Sequence, residues 1–257
     1  MNKTTFLLNR LNAIGDSLAQ RETALALIGL GSVGLELDRL DEFSDLDFFV
    51  IVKAGSKAQY LEDLSWLTDV APVTYAFLNT KDGYKLLYAD GVFCEFAVFE
   101  EAELAHIPFT PGRVVWKAAG MDDAIAVPTY SSGERERPST DFLLGEAITN
   151  LYVGLLREHR GERLSATRFI QGYAVDRIVE LVARLQAAAK AHQDPFNAER
   201  RFEQRYPDMA HILPDLLQGY DRNRESVLAA LVFLDEHFEI DKGMKTAVLQ
   251  LCQKEGR

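Results

Sequence analysis

Two different hydrophobic patterns divide this chain of 257 residues. From about residue 24 to 100, short apolar runs rich in β-branched and aromatic residues alternate with turn signals, which is typical of strands. From about residue 139 to the end, apolar residues recur at helical spacing. A strand-rich half followed by a helical half predicts an α+β fold, with a mixed sheet first and an all-helical bundle after it.

The individual elements follow from the same patterns. An amphipathic helix is predicted within residues 4–20, and a short helix at "YLEDLSWL", residues 60–67. Asp82-Gly83 and Asp90-Gly91 are hairpin signals between the last three predicted strands. Strands are predicted at 24–30, 46–52, 72–79, 84–90 and 92–100. Helices of the second half are predicted at 141–159, 165–192, 196–205, 208–219, 222–238 and 242–254.

The segment "PTYSSGERERPST", residues 128–140, is the best candidate for a linker, because it collects Pro, Ser, Gly and charges. It ends in Ser139-Thr140, which can cap the helix that follows. We therefore predict two domains, a sheet domain at residues 1–130 and a helical bundle at 131–257.

Net charge and cysteine content indicate which partners and which cellular compartment to expect. The formal net charge is −11, whereas a nucleic acid or an anionic membrane as partner would favour a basic face, so we expect neither. Cys94 and Cys252 match no metal-ligand or redox spacing, and this usage fits a reduced cytoplasm. No stretch is apolar enough to span a membrane, and the N-terminal apolar run is shorter than a signal peptide needs. We expect a cytoplasmic protein.

Two carboxylates mark the start of the second predicted strand. Because side chains alternate along a strand, Asp45 and Asp47 share one face, and Leu46, Phe48, Val50 and Val52 lie on the other. Two carboxylates aimed the same way repel each other unless they are solvated or hold a cation. Mg²⁺ suits the position, since it takes one or two carboxylates plus phosphate oxygens. The alternative is ordinary turn chemistry at Ser44-Asp45.

A third carboxylate interrupts the apolar strand "VFCEFAVF". Glu95 shares its face with Phe93 and Ala97, and an acid in that position is costly unless it has a role or a partner. If this strand lies beside the strand of Asp45 and Asp47, the three acids share one face of the sheet. The alternative is a buried acid with a structural partner.

Gly31-Ser32 follows the first predicted strand and opens a short helix. Such a turn exposes backbone N–H groups and a hydroxyl, which together can hold phosphate. A phosphate turn beside acids for a metal is typical of nucleoside triphosphate chemistry, in which the metal neutralises charge during an in-line displacement.

In this order the residues resemble the nucleotidyltransferases of the polymerase-beta type, whose motif is Gly-Ser, a variable loop, Asp-x-Asp or Asp-x-Glu, and a later third carboxylate. Within that superfamily the chain is most similar to the lincosamide nucleotidyltransferases, antibiotic-resistance enzymes related to the aminoglycoside ones. The similar stretches run over most of the chain: "GS" at 31–32, "FSDLDFFVIVK" at 43–53, "SWLTDVAP" at 65–72, "CEFAVF" at 94–99 and "FLLGEAITNLYVGLLREHRGE" at 142–162.

The resemblance implies a role for each matching residue. Gly31 and Ser32 would hold the phosphates, Asp45 and Asp47 would bind Mg²⁺, and Glu95 would be the general base for the acceptor hydroxyl. The implied reaction transfers a nucleoside monophosphate, AMP from ATP or its counterpart from another NTP, to a hydroxyl of a small molecule, and pyrophosphate is released. Lincosamides and aminoglycosides are the antibiotic classes that the resemblance suggests as acceptors, and a homodimer is one oligomeric state left open.

The loop "VGLELDRLDEF", residues 33–43, departs from the family, which usually has a shorter loop with a basic residue and a glycine. Arg39 is its one cation. This departure motivates a second hypothesis, a non-catalytic or antitoxin-like nucleotide-binding regulatory protein. A third hypothesis is transfer to nucleic acid or protein, of which the charge disfavours the first. Cations that could compensate are Arg39, Lys53, Arg163 and Arg168, each more simply interpreted as a surface residue.

Overall fold

The computed structural model describes residues 2–130, 138–189 and 197–254. The chain forms two compact units that divide between residues 135 and 136. That division, the centre of the predicted linker and the predicted boundary at 130 and 131 fall at or within a segment outside the described residues, so the domain bounds stay a prediction. None of the helices among the described residues combines the length and apolarity needed to cross a bilayer.

The first unit is built on a six-stranded mixed sheet. Its strands are β1 (Ala24–Gly29), β2 (Leu46–Val52), β3 (Val73–Thr80), β4 (Gly83–Tyr88), β5 (Phe93–Glu100) and β6 (Arg113–Lys117). They are ordered β3-β4-β5-β2-β1-β6. Every neighbouring pair is antiparallel except β2 and β5, which run parallel. The five strands predicted from the sequence are confirmed to within two residues at each end, and β6 was missed.

Helices cover one face of this sheet. They are α1 (Lys3–Ala19), α2 (Lys57–Glu62) and α3 (Ser65–Thr68). The apolar stripe of α1 packs with Trp66 of α3 on the alternate residues Phe48, Val50 and Phe96 of the central strands. Period-2 burial along β2 and period-3.6 burial along α1 meet here, as their sequences require. The single helix predicted at 60–67 is two short ones, because Asp63 adopts an extended backbone after α2.

The other face of the sheet is only partly covered by its own apolar cluster. Ile28, Ile51 and Phe99 pack there with Leu104 and Phe109 of the segment that follows β5. These sheet residues lie toward the carboxyl ends of the parallel strands. Phe49 contacts the rings on both sides of it, at ring-centroid distances of 5.0 and 5.6 Å. Nearer the amino ends of these two strands, Asp47 of β2 and Glu95 of β5 are on this face.

A half-buried lysine links the end of β5 to two neighbouring elements. Lys57 Nζ of α2 donates to Asp82 at 2.6 Å and to both carboxylate oxygens of Glu103 at 2.7 and 2.9 Å. Asp82 lies in the turn between β3 and β4, and Glu103 accepts from the N–H of Glu100 at 2.8 Å. The Lys57 ammonium thus donates charge-assisted hydrogen bonds to carboxylates from two separate segments of the chain.

The second unit is helical throughout its described residues, apart from short connections. Its helices are α4 (Thr140–His159), α5 (Arg163–Thr167), α6 (Val175–Leu185), α7 (Phe202–Arg205), α8 (Pro207–Ala210), α9 (Leu213–Leu216), α10 (Asn223–His237) and α11 (Lys242–Gln253). The predicted helices at 141–159, 222–238 and 242–254 are confirmed. The helix predicted at 208–219 is two separate turns, and the described part of 196–205 is helical only from Phe202.

The helix predicted at 165–192 contains an irregularity and ends early. A π-helical turn, Arg168–Ala174, joins α5 to α6, which ends at Leu185; residues 190–192 lie outside the described residues. The turn packs against α4 where Gly154 leaves room, since a Cβ there would lie 2.5 Å from Ile170. Asn223 of α10 anchors it by bonding Gln171 and Thr167. A π-helical turn adds one residue to a helical turn, and the spacing of apolar residues in the sequence does not reveal it.

Candidate functional site

The parallel pairing of β2 and β5 brings two predicted site residues side by side. Asp47 and Glu95 are register partners in that pair, and partners in parallel strands point to the same face of the sheet. Asp45 lies two residues before Asp47, just ahead of the first residue of β2. The sequence-based expectation that the strand of Glu95 lies beside the strand of the two aspartates is confirmed.

Asp45 and Asp47 are half-buried at the amino end of β2. Their charge affects Cys94 on the neighbouring strand β5. Burial raises the pKa of the Cys94 thiol well above its ordinary value, and the two carboxylates raise it further. Among the described residues no group of three or more His, Cys, Asp or Glu side chains could hold a metal ion. A donor set of two carboxylates fits Mg²⁺, which completes its octahedron with water and substrate phosphate rather than with protein ligands.

The Glu95 carboxylate has a donor on each oxygen. Lys85 of β4, the register partner of Glu95, places Nζ 3.3 Å from Oε2, and Asn79 of β3 places Nδ2 3.4 Å from Oε1. Glu95 is therefore not a buried acid: its side chain is 45 % exposed and that of Lys85 42 %. Neither partner was predicted from the sequence, since a cross-strand neighbour is defined by register, which the sequence alone does not show.

The Gly31-Ser32 turn joins the same end of the sheet. Gly31–Val33 form a short 3₁₀ turn one residue after β1, as predicted. The N–H of Leu30 donates to the carbonyl oxygen of Asp47 at 2.8 Å, so the turn is fastened to the backbone of a site carboxylate. Gly31 has φ of 52°, a left-handed conformation that a residue with a side chain rarely adopts.

Close backbone packing shapes the rest of this turn. A Cβ added to Gly29 would lie 2.5 Å from the carbonyl oxygen of Val33, so this position requires glycine. The guanidinium of Arg113 on β6 donates to the same Val33 oxygen, from Nε at 3.2 Å and Nη2 at 2.9 Å. Burial lowers the pKa of Arg113 from its ordinary value. This arginine, which was not among the residues predicted from the sequence, holds the turn in place through the Val33 carbonyl.

A cation lies against the turn as well. Ser32 is only 7 % exposed, so little of it is presented to a ligand. Arg39 is more accessible, and its Nη2 would be 3.3 Å from a Cβ at Gly31. Both Nε and Nη2 of Arg39 contact Oε2 of Glu36, at 2.7 and 2.6 Å. Arg39 is thus a positioned group at the turn, rather than the freely solvated cation that its sequence context suggested.

The other candidate cations are placed differently. Lys53 is exposed just after β2. Arg163 pairs with Glu158 and Asp221 of its own helical unit, at 3.3 and 2.9 Å, and Arg168 is exposed on the π-helical turn. Nothing in these contacts links the last two to a phosphate.

An open groove of about 530 Å³ runs along α1, lined by Ala13, Asp16, Ser17, Gln20, Arg21, Asp69 and Val70. It borders the helix-covered side of the sheet, opposite to the face of Glu95. It contributes no residue to the site around Asp47.

Two solved structures resemble this chain distantly. No protein-family model matches the chain, and no curated protein matches it. Among solved structures, an aminoglycoside 6-adenyltransferase from Bacillus subtilis is similar at 14 % identity and a TM-score of 0.36, over 95 % of this chain and 91 % of that one. The CCA-adding enzyme of Thermotoga maritima, complexed with tRNA, is similar at 11 % identity and a TM-score of 0.34, over 98 % and 72 %. At such scores neither likeness establishes the fold or the function of this chain.

Proposed function

We propose that this protein transfers a nucleoside monophosphate from a nucleoside triphosphate, most simply AMP from MgATP, to a hydroxyl of a small molecule. The observation that carries the proposal is the register of β2 and β5. It sets Asp47 beside Glu95, and Leu30, the residue before the Gly31-Ser32 turn, donates its N–H to the carbonyl oxygen of Asp47. This adjacency of Asp47, Glu95 and the Gly31-Ser32 turn on neighbouring strands supports the proposal.

Each group has a role in this proposal. The turn at Gly31 and Ser32, with Arg39 beside it, would bind the β- and γ-phosphates through N–H groups and a guanidinium. Asp45 and Asp47 would hold Mg²⁺. When bound, the ion neutralises charge on the phosphates and polarises the phosphoryl oxygen.

Glu95 would accept the proton of the acceptor hydroxyl. The freed oxygen forms a bond to the α-phosphorus while the bond from that phosphorus to the bridging oxygen breaks, so that pyrophosphate leaves with its electron pair. A hydroxyl is a poor nucleophile until its proton is accepted, and a carboxylate within reach supplies that help. Lys85 and Asn79 hold the Glu95 oxygens in place meanwhile.

The acceptor is proposed to be a small hydroxylated molecule, with lincosamide and aminoglycoside antibiotics as the first classes to test because of the sequence resemblance. The formal charge of −11 disfavours a nucleic-acid acceptor, which would gain from a basic surface.

Pyrophosphate release tests the proposal. Purified protein with MgATP or MgGTP is screened against lincosamides, aminoglycosides and simple polyols, and compared with Asp47→Asn. We expect acceptor-dependent release by the wild type, and loss of at least about a hundredfold in the variant. Asp69→Asn removes an exposed carboxylate outside the site and controls for charge. Near-full turnover by Asp47→Asn would contradict the proposal that Asp47 binds Mg²⁺.

A regulatory protein that binds nucleotide without turnover is the second candidate. One observation favours it: Glu36 already occupies the guanidinium of Arg39, so the phosphate turn carries its own anion. Calorimetry separates the two functions. MgATP binding with no pyrophosphate release across the panel would favour the regulatory protein, and release with any acceptor excludes it.

A further inference from the structure

Two exposed aromatic residues lie on the outermost strand beside the candidate site. β3 is at the edge of the sheet, and its residues Tyr75 and Phe77 are 54 % and 51 % exposed. Large aromatic side chains left this open cost free energy in water, because each presents a wide apolar area. Scattered apolar residues are common on surfaces, so their position relative to the site decides what they mean.

Strand register places Phe77 in line with the site. Phe77 is the partner of Lys85, Lys85 is the partner of Glu95, and Glu95 is the partner of Asp47. The four side chains form one transverse row across β3, β4, β5 and β2. Tyr75, two residues along β3, is on the same face. Neighbouring strands are about 4.8 Å apart, so Phe77 is roughly 10 Å from Glu95.

The chemistry of the proposed transfer indicates which end of this row faces the acceptor and which faces the nucleotide. In an in-line displacement, the attacking oxygen and the leaving pyrophosphate are on opposite sides of the phosphorus. The phosphate turn follows β1, on the far side of Asp47 from Glu95. An acceptor whose hydroxyl reaches Glu95 therefore approaches from the other direction, over β4 and β3.

We infer that the face formed by Tyr75, Phe77 and Lys85 is the binding surface for the acceptor, and that the acceptor is a hydroxylated molecule of two or more rings. The inference rests on the proposed function and names its acceptor class. One ring presents its hydroxyl to Glu95, and a second ring lies with its apolar face on Phe77 and Tyr75. Such a molecule spans the distance of two strands.

The polarity of the surface suits that class. Aromatic faces bind the C–H face of a saturated ring by apolar burial, while the few polar groups around them fix its orientation. Lys85 and Asn79 are polar groups of this kind, placed between the aromatic residues and Glu95. The ion pair of Lys85 with Glu95 leaves this part of the surface without net charge. A simple polyol, having no second ring, would not reach Phe77.

Binding, rather than turnover, is the test. The protein is saturated with Mg²⁺ and α,β-methylene-ATP, which cannot release pyrophosphate, and titrated calorimetrically with lincomycin, kanamycin, methyl glucoside and sorbitol. The variants are Phe77→Ala and, as matched control, Leu78→Ala. Leu78 is 48 % exposed on the same strand but on the opposite face, so loss of strand stability affects both variants alike.

We expect a multi-ring compound to bind the wild type and Leu78→Ala equally, and Phe77→Ala about tenfold more weakly. The affinity for the nucleotide analogue should be the same in all three proteins. Equal affinity of Phe77→Ala and Leu78→Ala overturns the inference, and so does a wild type that binds the analogue but no multi-ring compound. A wild type that binds no analogue overturns the proposed function itself, and the inference with it.

Discussion

Asp47 and Glu95 are direct register partners in the one parallel strand pair of the sheet. Far apart in sequence, they point to the same face because the backbone pairing of β2 with β5 holds them there. Rigid strands hold functional groups more accurately than loops do. The separation of roles in the proposed site, Asp47 toward the phosphates and Glu95 toward the acceptor, follows from this placement on adjacent strands.

Glu95→Gln should separate base catalysis from binding. The amide keeps the size of the side chain and cannot accept the acceptor proton, so we expect pyrophosphate release to fall by about 10²–10⁴-fold. The dissociation constant for MgATP, measured by calorimetry, should stay within about twofold. Glu95→Asp keeps the carboxylate but shortens its reach, and should retain more activity than the amide. Equal activity of Glu95→Gln and wild type would remove Glu95 from the mechanism.

Glu36→Gln should strengthen nucleotide binding. Phosphate must compete with Glu36 for the Arg39 guanidinium, and a partly exposed ion pair is worth about 0.2–1 kcal/mol. We therefore expect the dissociation constant for MgATP to fall about two- to fivefold at low salt, and the gain to shrink as salt rises. Glu42→Gln removes the same charge from an exposed position of the same loop. If both variants gain equally, net charge and not the contact with Arg39 is responsible.

Cys94 should resist thiol reagents in the native protein. Burial, with added repulsion from Asp45, Asp47 and Asp90, raises the pKa of its thiol above the ordinary value of 9.0. At pH 8 the reactive thiolate is therefore scarcer than in an exposed cysteine. In a Cys252→Ser background, labelling by a chromogenic disulfide should occur only as fast as the sheet opens, and urea should accelerate it. Prompt labelling without denaturant would contradict the buried position.

Lys57→Met should destabilise the first unit by about 1–3 kcal/mol, since it removes charge-assisted hydrogen bonds from a side chain that is 16 % exposed. Both tryptophans, Trp66 and Trp116, belong to this unit, so urea unfolding followed by their fluorescence reports on it. Lys53→Met, at an exposed position, is the control. Equal unfolding free energies for the two variants would contradict a stabilising role.

The same lysine gives the stability a pH dependence. Burial by itself lowers the pKa of Lys57, but the hydrogen bonds and charges of Asp82 and Glu103 outweigh it, and the pKa is raised above 10.5. A raised pKa in the folded state means that the contribution is fully present below about 10.5 and is lost as the pH rises through the higher value. The difference between wild type and Lys57→Met should be constant from pH 7 to 9 and shrink above 10.5.

Local pattern was enough for most elements of this fold. Strand β2 has the bounds read from "LDFFVIV" because alternation and β-branched residues agree there, and the Asp-Gly turns fix the β3–β4–β5 hairpins. Strand β6 was missed because five residues carry too little periodicity. The π-helical turn at Arg168–Ala174 was missed because it preserves the apolar spacing on either side.

The candidate site likewise has residues that could be predicted from local sequence and residues that could not. Asp45, Asp47, Glu95 and the Gly31 turn carry local signals, whereas the partners that complete the site come from register. Lys85 reaches Glu95 only through the pairing of β4 with β5. Arg39 contacts the phosphate turn because the acidic loop folds back through Glu36. Neither relation is written in the spacing of residues along the chain.

Parallel pairing also sets when the site can exist during folding. The hairpins that join β3, β4 and β5 link neighbours in sequence, so each can form early and locally. To pair with β2, β5 must close a loop that contains α2, α3, β3 and β4. Such non-local closure is slow, because the conformational entropy of the loop is lost before the strand contacts form. Asp47 therefore meets Glu95 only once the centre of the sheet is complete. A half-folded chain carries both acids but not the proposed site, so the proposed nucleotide binding requires this unit to have finished folding.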